Sequence, residues 1–323
     1  MNSSTVKKPI SGVIENYTKD KSAANTGIAF NLIKNIFPDA IEYRGIADGS
    51  RGLITLMAVM FFFFIGWAIH ALLPLGSNRF NWFRFATDLI FVIIISVISL
   101  YLILKWLRLE LFRPEDEPII FDRKNRKIYR IFREVQPGWK GLFTAWPIRQ
   151  TEHDWNLVEA EHHAVIDANT ATISRHHALV FSVRASQTDS TVVDGFTVGN
   201  GLQMGELTVP AMYEHIRQFM EESGTHIPHG ETLAQKIKSP TLLECLARTG
   251  PYGDTLKTWW EHARVLTIFG FIFFPVTFPI LTLLGLFSWF SYITSTPINW
   301  SSDVVKAVGL PIQNASQLHV DQK

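Results

Sequence analysis

Two apolar runs dominate the first third of the chain. Residues 53–75 read LITLMAVMFFFFIGWAIHALLPL, with His70 as the one titratable group. Residues 85–107 read FATDLIFVIIISVISLYLILKWL, with an uncharged stretch at 89–104 between Asp88 and Lys105. A bilayer core of about 30 Å takes about 20 helical residues. Neither run has a polar face, and Trp82 and Trp106 stand where an aromatic belt belongs. Gly76, Ser77 and Asn78 between the runs supply a turn. The pattern predicts a transmembrane helical hairpin over 52–107. The first run begins some 50 residues in and exceeds the apolar core of a signal peptide, about 7–15 residues, so it is read as retained. A third run, VLTIFGFIFFPVTFPILTLLGLFSWFSYI at 265–293, is uncharged, but Pro275 and Pro279 lie near its middle. Proline removes a helical hydrogen bond and clashes one turn back. A kinked span and a re-entrant hairpin both fit 264–294.

Outside these runs the periodicity changes. Residues 1–51 read as a polar tail in which Ile28, Leu32, Ile33 and Ile36 recur at helical spacing, either an interfacial helix or one docked on the central domain. Residues 108–224 open with strands. PIIF (118–121) and KIYRIF (127–132) flank a polar turn at Asp122–Arg126, and strand-like runs follow at 155–160, 163–167, 172–175, 178–184 and 191–198. A helix is then predicted from Thr208 as cap and Pro210 in the first turn to Gly224. Its buried face holds Val209, Met212, Tyr213, Ile216, Phe219 and Met220. Residues 225–263 read as a helical connector and 295–323 as a C-terminal tail. Strands followed by one helix suit an α+β domain, and a pleckstrin-homology-like barrel closed by its last helix is one packing that meets this order.

Composition sharpens the class without giving an activity. Of 323 residues, 47% are hydrophobic and only 18% charged, which excludes a disordered chain. Thirty Lys+Arg against 29 Asp+Glu leave a net charge of +1, so no global field points to nucleic acid. The single cysteine, Cys245, excludes a disulfide scaffold. Seven Lys or Arg precede the first run (Lys7, Lys8, Lys19, Lys21, Lys34, Arg44, Arg51), whereas the loop at 76–84 holds Arg79 and Arg84 only. The positive-inside rule therefore puts the N-terminus and the central domain in the cytoplasm. The tail at 295–323 carries only Lys306 and Lys323, which favours the periplasm.

Candidate chemistry is sparse. His162-His163 and His176-His177 are adjacent pairs, but neighbours on a strand face opposite ways, so at most one of each joins a site. No HExxH, P-loop, GxSxG or GxGxxG occurs. No catalytic residue, metal or cofactor is assigned. Arg123, Lys124, Arg126 and Lys127 form a basic hairpin tip able to attract anionic lipid. Trp259 and Trp260, just before the third run, read as an interfacial anchor or a partner-binding hot spot.

RPEDEPIIFDRKNRKIYRI (113–131), MYEHIRQFMEES (212–223) and TPINWSSDVVKA (296–307) together resemble a family of bacterial inner-membrane proteins built on a domain of unknown function. The resemblance covers roughly 85–307. It implies two N-terminal spans, a cytoplasmic domain and a C-terminal apolar segment. Its members are often encoded beside type VI secretion effectors, which implies a non-enzymatic immunity or accessory role through direct binding of a secreted toxin or effector. In such members the stretch before Pro-x-Trp tends to be Arg-rich, which would put the tail inside; here SWFSYITSTPINW has no Arg. The other expectation is a membrane-tethered lipid-binding or scaffold module.

Overall fold

The structure, a computed structural model, describes residues 12–45, 51–72, 82–168, 173–199, 205–234, 240–249 and 253–312. It is a mixed α+β fold with two antiparallel sheets. The first has the order β1-β7-β8-β9, built from β1 (Val13–Tyr17), β7 (Val158–Ala168), β8 (Ile173–Arg184) and β9 (Val192–Val198). The second has the order β2-β3-β4-β5-β6, built from β2 (Ile33–Ile36), β3 (Ala40–Tyr43), β4 (Ile119–Asp122), β5 (Lys127–Arg133) and β6 (Ile148–Asp154). Trp155–Leu157 make a tight 3-10 turn from one sheet to the other. The sheets do not close into a barrel. Closure through the β6–β7 corner would need β6 on an edge of β7, and both edges are taken, by β1 and β8. The edges of β6 and β9 are bridged by side chains instead: Asp194 of β9 meets Arg130 at 3.2 Å and His153 at 2.9 Å.

Helix α4 (Thr208–Glu221) lies on the shared core as its periodicity predicts. All six of its expected apolar positions are buried, against Phe121, Trp155, Phe181 and Phe196 among others. At about 1.5–3 kcal/mol per buried apolar side chain, this face outweighs any capping contribution. Thr208 is inside the helix rather than its cap, and its hydroxyl donates back to the Gly205 carbonyl at 2.9 Å.

The N-terminal region is not a tail with a helix. Residues 13–43 supply three strands, and Tyr17, Ile33, Ile36, Ile41 and Tyr43 belong to the main core. The three-residue spacing of Ile33 and Ile36 mimics a helix because a register shift between Ile33 and Asn35 turns both inward. Just before β2, Phe30 and Asn31 adopt left-handed conformations (φ +56° and +54°). The Glu231 carboxylate holds that turn, accepting from the backbone N–H groups of Ala29, Phe30 and Asn31 at 2.9–3.0 Å.

Among the described residues, three helices are long and apolar enough to cross a membrane: Leu53–Ala71 in α1 (Leu53–Leu72), Phe85–Glu110 in α2 (Trp82–Glu110), and α7 (Arg264–Ile293). The α1–α2 pair is inserted between β3 and β4, adjacent strands that pair Tyr43 with Ile119. Helix α7 runs unbroken with Pro275 and Pro279 inside it, so the reversal that a re-entrant hairpin would need there is missing. Two short helices, α5 (Leu242–Thr249) and α6 (Gly253–His262), precede it. After α7 the chain returns to the β domain. Thr296 forms a bridge with Pro114. Val304 and Val308 of α8 (Ser302–Val308) then pack on Phe37, Ala40, Ile120 and Tyr129 of the five-stranded sheet. Residues 296–308 therefore pack with the β domain rather than standing apart from it as a tail.

Val304→Asp tests this docking. A carboxylate cannot stay charged against that apolar face without a cost of several kcal/mol, more than a seven-residue helix gains by docking. The expected result is release of α8 and rapid protease cleavage after residue 296, read by mass spectrometry. A tail as resistant as that of the parent protein would refute the docking.

Candidate functional site

The basic hairpin tip is not a free positive patch. Arg126 grips Glu221 at the end of α4 with two bonds, 2.7 and 3.0 Å, and donates to the Met220 carbonyl at 3.1 Å. Arg123 pairs with Asp39 at 3.1 Å and stacks over Phe219. Lys127 pairs with Glu152 across the β5–β6 ladder. Lys124 is exposed to solvent. Direction matters as well. β3 runs toward the apolar helices and β4 runs away from them, so the β4–β5 turn sits at the far end of the sheet. β5 separates Lys127 from Arg133, whose guanidinium reaches the Leu109 carbonyl in α2. Seven residues at about 3.3 Å each put about 20 Å between the tip and the helices. Trp259 and Trp260 are both exposed on α6.

The histidine pairs split as strand geometry requires. His162 turns inward, hydrogen-bonded to His177 at 2.8 Å and to the Tyr17 hydroxyl at 3.3 Å. His163 turns outward to Glu161 at 2.8 Å. The side chain of His176 lies outside the described residues. Among the described residues no three His, Cys, Asp or Glu side chains converge in a way that could hold a metal ion.

A cleft lies elsewhere in the domain. It encloses about 360 Å³ between the end of β1, the 3-10 turn and α4, lined by Tyr17, Lys19, Trp155, Phe181, Arg184 and Tyr213. Lys19 donates to the Trp155 carbonyl and lies 4.8 Å from the centre of that indole. Burial lowers its pKa to about 8, with Glu221 opposing the shift. Arg184 is paired with Glu159 at the rim. Burial disfavours ionisation of Glu221, but hydrogen bonds from Arg126 and Trp155 prevail and hold its pKa below the usual carboxylate value. The floor is aromatic, and Lys19, Asn156, Glu159 and Arg184 of its lining are each bonded within the protein. Such a cleft can hold a flat or apolar side chain; it presents no paired nucleophile and base. No sequence pattern marked it, because its lining comes from four separate stretches.

A second constellation sits where the apolar helices meet the sheets. Glu110, at the end of α2, is completely buried. Its Oε1 accepts from the Gly52 N–H at 2.9 Å and the Ser291 hydroxyl at 2.7 Å. Arg51 is 5% exposed, donates to the carbonyls of Pro114 (2.8 Å) and Glu115 (3.1 Å), and lies over the Tyr292 ring. Gly52 has φ +86°, and a Cβ there would come within 2.4 Å of the Ser288 nitrogen, so the position needs glycine. These residues tie the start of α1, the end of α2 and the end of α7 to one point.

A third feature went unread in the sequence. The loop between β5 and β6 carries α3 (Lys140–Phe143) and reaches along α2, where Trp139 packs on Tyr101 at 4.5 Å. Phe143 is 82% exposed beside it. The available signal was Trp139, Phe143 and Trp146 clustered in a Pro-Gly loop.

The fold and these junctions define an α+β domain carrying apolar helices long enough for a bilayer. The model of the family of unknown function DUF6708 matches residues 96–309, and the chain belongs to that family. No curated protein and no solved structure matches it.

The pH dependence of stability is set by His215, 3% exposed on α4. It accepts a hydrogen bond from Tyr43 at 2.5 Å and donates to the Thr225 carbonyl. Burial lowers its pKa to about 4, against the hydrogen bond to Thr225. Above pH 6.5 both folded and unfolded states are neutral there. Between pH 6.5 and about 4 the unfolded chain takes up a proton that the folded one refuses, so stability falls as pH falls, by up to about 3 kcal/mol. His162 and His226 are shifted the same way, chiefly by burial. The urea midpoint of the detergent-purified protein should drop between pH 7 and pH 5, and drop less in His215→Gln. Equal midpoints at the two pH values would contradict the assignment.

Proposed function

We propose that the chain is a multi-pass bacterial inner-membrane protein that holds its β domain on the cytoplasmic face. In this reading it acts without catalysis, as an immunity or accessory protein for a type VI secretion effector, by direct binding. The observation that carries the reading is the Arg51–Glu110–Ser291 junction. It ties the domain to three apolar helices at one point, so a partner captured by the domain is captured at the membrane. The Lys19 cleft, with its aromatic floor and paired polar rim, suits an apolar side chain of a protein partner better than a reacting substrate. The order of strands with a closing helix supports relating the domain to the pleckstrin-homology plan, with the membrane hairpin inserted between strands. Deleting the gene in cells that face the toxin encoded beside it should sensitise them, and full-length protein should restore protection. Unchanged survival of the deletion strain would end this reading.

A second reading has its own observation. Tyr101 lies nine positions before Glu110, about 13 Å along α2 from the junction. Trp139 packed there, with exposed Val135 and Phe143, supports reading the β5–β6 loop as dipping against the lipid-facing side of α2. In this reading the loop anchors the domain to lipid, in place of the basic tip. The double substitution Trp139→Ser and Phe143→Ser should increase protease access to the loop in membranes while leaving the fold intact. Charge reversal at Lys124 should change nothing. Unaltered protection of the loop in the double variant would remove it from the membrane.

A further inference from the structure

The segment from 235 to 295 leaves the β domain and comes back to it. At its start, the Ala234 N–H donates to the Ile33 carbonyl of β2 at 2.7 Å. At its end, the Thr296 N–H donates to the Arg113 carbonyl at 3.0 Å, and α8 docks on the sheet. A segment with both ends on one domain crosses a bilayer an even number of times. Helix α7 has no charged residue after Arg264, and its first half exposes apolar side chains on every side, Val265, Leu266, Ile268 and Phe271 among them. A helix lying in the interface needs a polar face, and α7 has none. It therefore suits a crossing, and a crossing α7 needs a second arm.

The chain supplies that arm in α5 and α6. Thr249 donates to the Leu281 carbonyl at 3.0 Å. A Cβ on Gly285 would meet Leu246 Cα at 3.0 Å and the Thr249 hydroxyl at 2.8 Å, so glycine lets the two backbones touch. As numbering rises along α5 it falls along α7, so α5 leads away from the domain. Leu256, Lys257 and Trp260 of α6 then gather around Phe271. Counting back from Ile293 to Phe271 at about 1.5 Å per residue gives about 33 Å, the thickness of a bilayer core. The polar groups are graded along the arm. Glu244 is held near the domain end, accepting from the Thr241 N–H at 2.7 Å. Arg248 lies one turn further, within snorkelling reach of that interface. Between Arg248 and Lys257 the sequence has a single charged residue, Asp254.

We propose that α5 and α6 are the outgoing arm of a second membrane hairpin with α7 as its returning arm. The turn at Trp259–Arg264 then sits in the headgroup layer of the leaflet opposite the β domain. Trp259 and Trp260 form the aromatic belt of that leaflet, with Lys257 and Arg264 reaching its headgroups. This rests on the reading that the apolar helices cross a membrane. Cysteine labelling of the full chain separates the two. In a Cys245→Ser background, single cysteines are placed at Glu261, at Arg79 between the first two runs, and at Lys124 on the β domain. Each is exposed to a membrane-impermeant maleimide in spheroplasts and in inverted vesicles. The expected result is labelling of Glu261→Cys from the same side as Arg79→Cys, with loss of labelling from the side that reaches Lys124→Cys. If Arg79→Cys and Lys124→Cys label from opposite sides and Glu261→Cys follows Lys124→Cys, the first hairpin stands and the second is overturned. If all three label from one side, the membrane reading and the proposal fail together. His262→Cys, one position on, is the replacement where Glu261→Cys does not accumulate.

Discussion

The Glu110 carboxylate is the point on which the architecture turns. It is completely buried and held through one oxygen: Oε1 accepts two hydrogen bonds, whereas Oε2 is buried without a partner. Its donors come from distant stretches: the Gly52 backbone at the mouth of α1 and the Ser291 hydroxyl near the end of α7. Arg51 adds a buried cation whose bonds go to the carbonyls of Pro114 and Glu115, on the stretch leading into β4, rather than to water. Desolvation lowers its pKa, and Tyr292, Glu110 and Glu115 oppose that shift. Breaking either bond to Oε1 leaves the buried Glu110 side chain with a single partner, a strongly destabilising kind of change. The junction therefore behaves as a unit that holds three helix ends and the first strand beyond them in one register.

Everything on the sheet side follows from where that unit sits. β3 and β4 are neighbours although the helical hairpin intervenes, because α1 and α2 leave and return side by side. Antiparallel strands are about 4.8 Å apart, and packed helices about 8–10 Å. On the stretch leading back into β4, the buried Asp116 accepts from the Gly45 N–H at 2.8 Å and ties that stretch to the residue just beyond β3. The core then needs residues from both sides of the insertion: Ile33, Ile41 and Tyr43 from before it, Ile119, Phe121 and Phe181 from after it. Such long-range pairing makes the sheets late to form, and it makes insertion of the helices and folding of the domain one problem rather than two.

The parts legible in the sequence were those whose signal is local. Uncharged runs gave the apolar helices, the Asp122–Arg126 turn gave the β4–β5 hairpin, and the 3.6-residue recurrence from Val209 to Met220 gave α4. What was hidden depended on partners far along the chain. β6 (IRQTEHD) has no apolar alternation because, as an edge strand, it is mostly exposed, so it left no pattern. β2 was disguised by a bulge. The basic tip read as a free patch because its partners, Asp39, Glu152 and Glu221, stand 25 to 95 positions away. The Lys19 cleft and the Glu110 junction are each assembled from several stretches that are unremarkable singly.

The family match begins at residue 96, inside α2, and ends at 309, just after α8. It therefore contains the second half of α2, most of both sheets and the helices α5, α6 and α7. It omits α1 and β1 to β3. Yet β3 is the strand that β4 pairs with, and Gly52 donates one of the two bonds on Glu110. The matched region is thus not a self-sufficient fold: β4 has an unpaired edge and Glu110 lacks a donor until the residues before 96 are added. Within this fold, any chain that keeps a buried acid at the end of α2 must supply a helix start and an inner strand ahead of it, whatever their sequence. That requirement is geometric. It explains how residues 13–52 can be structurally indispensable while lying outside the stretch that defines the family.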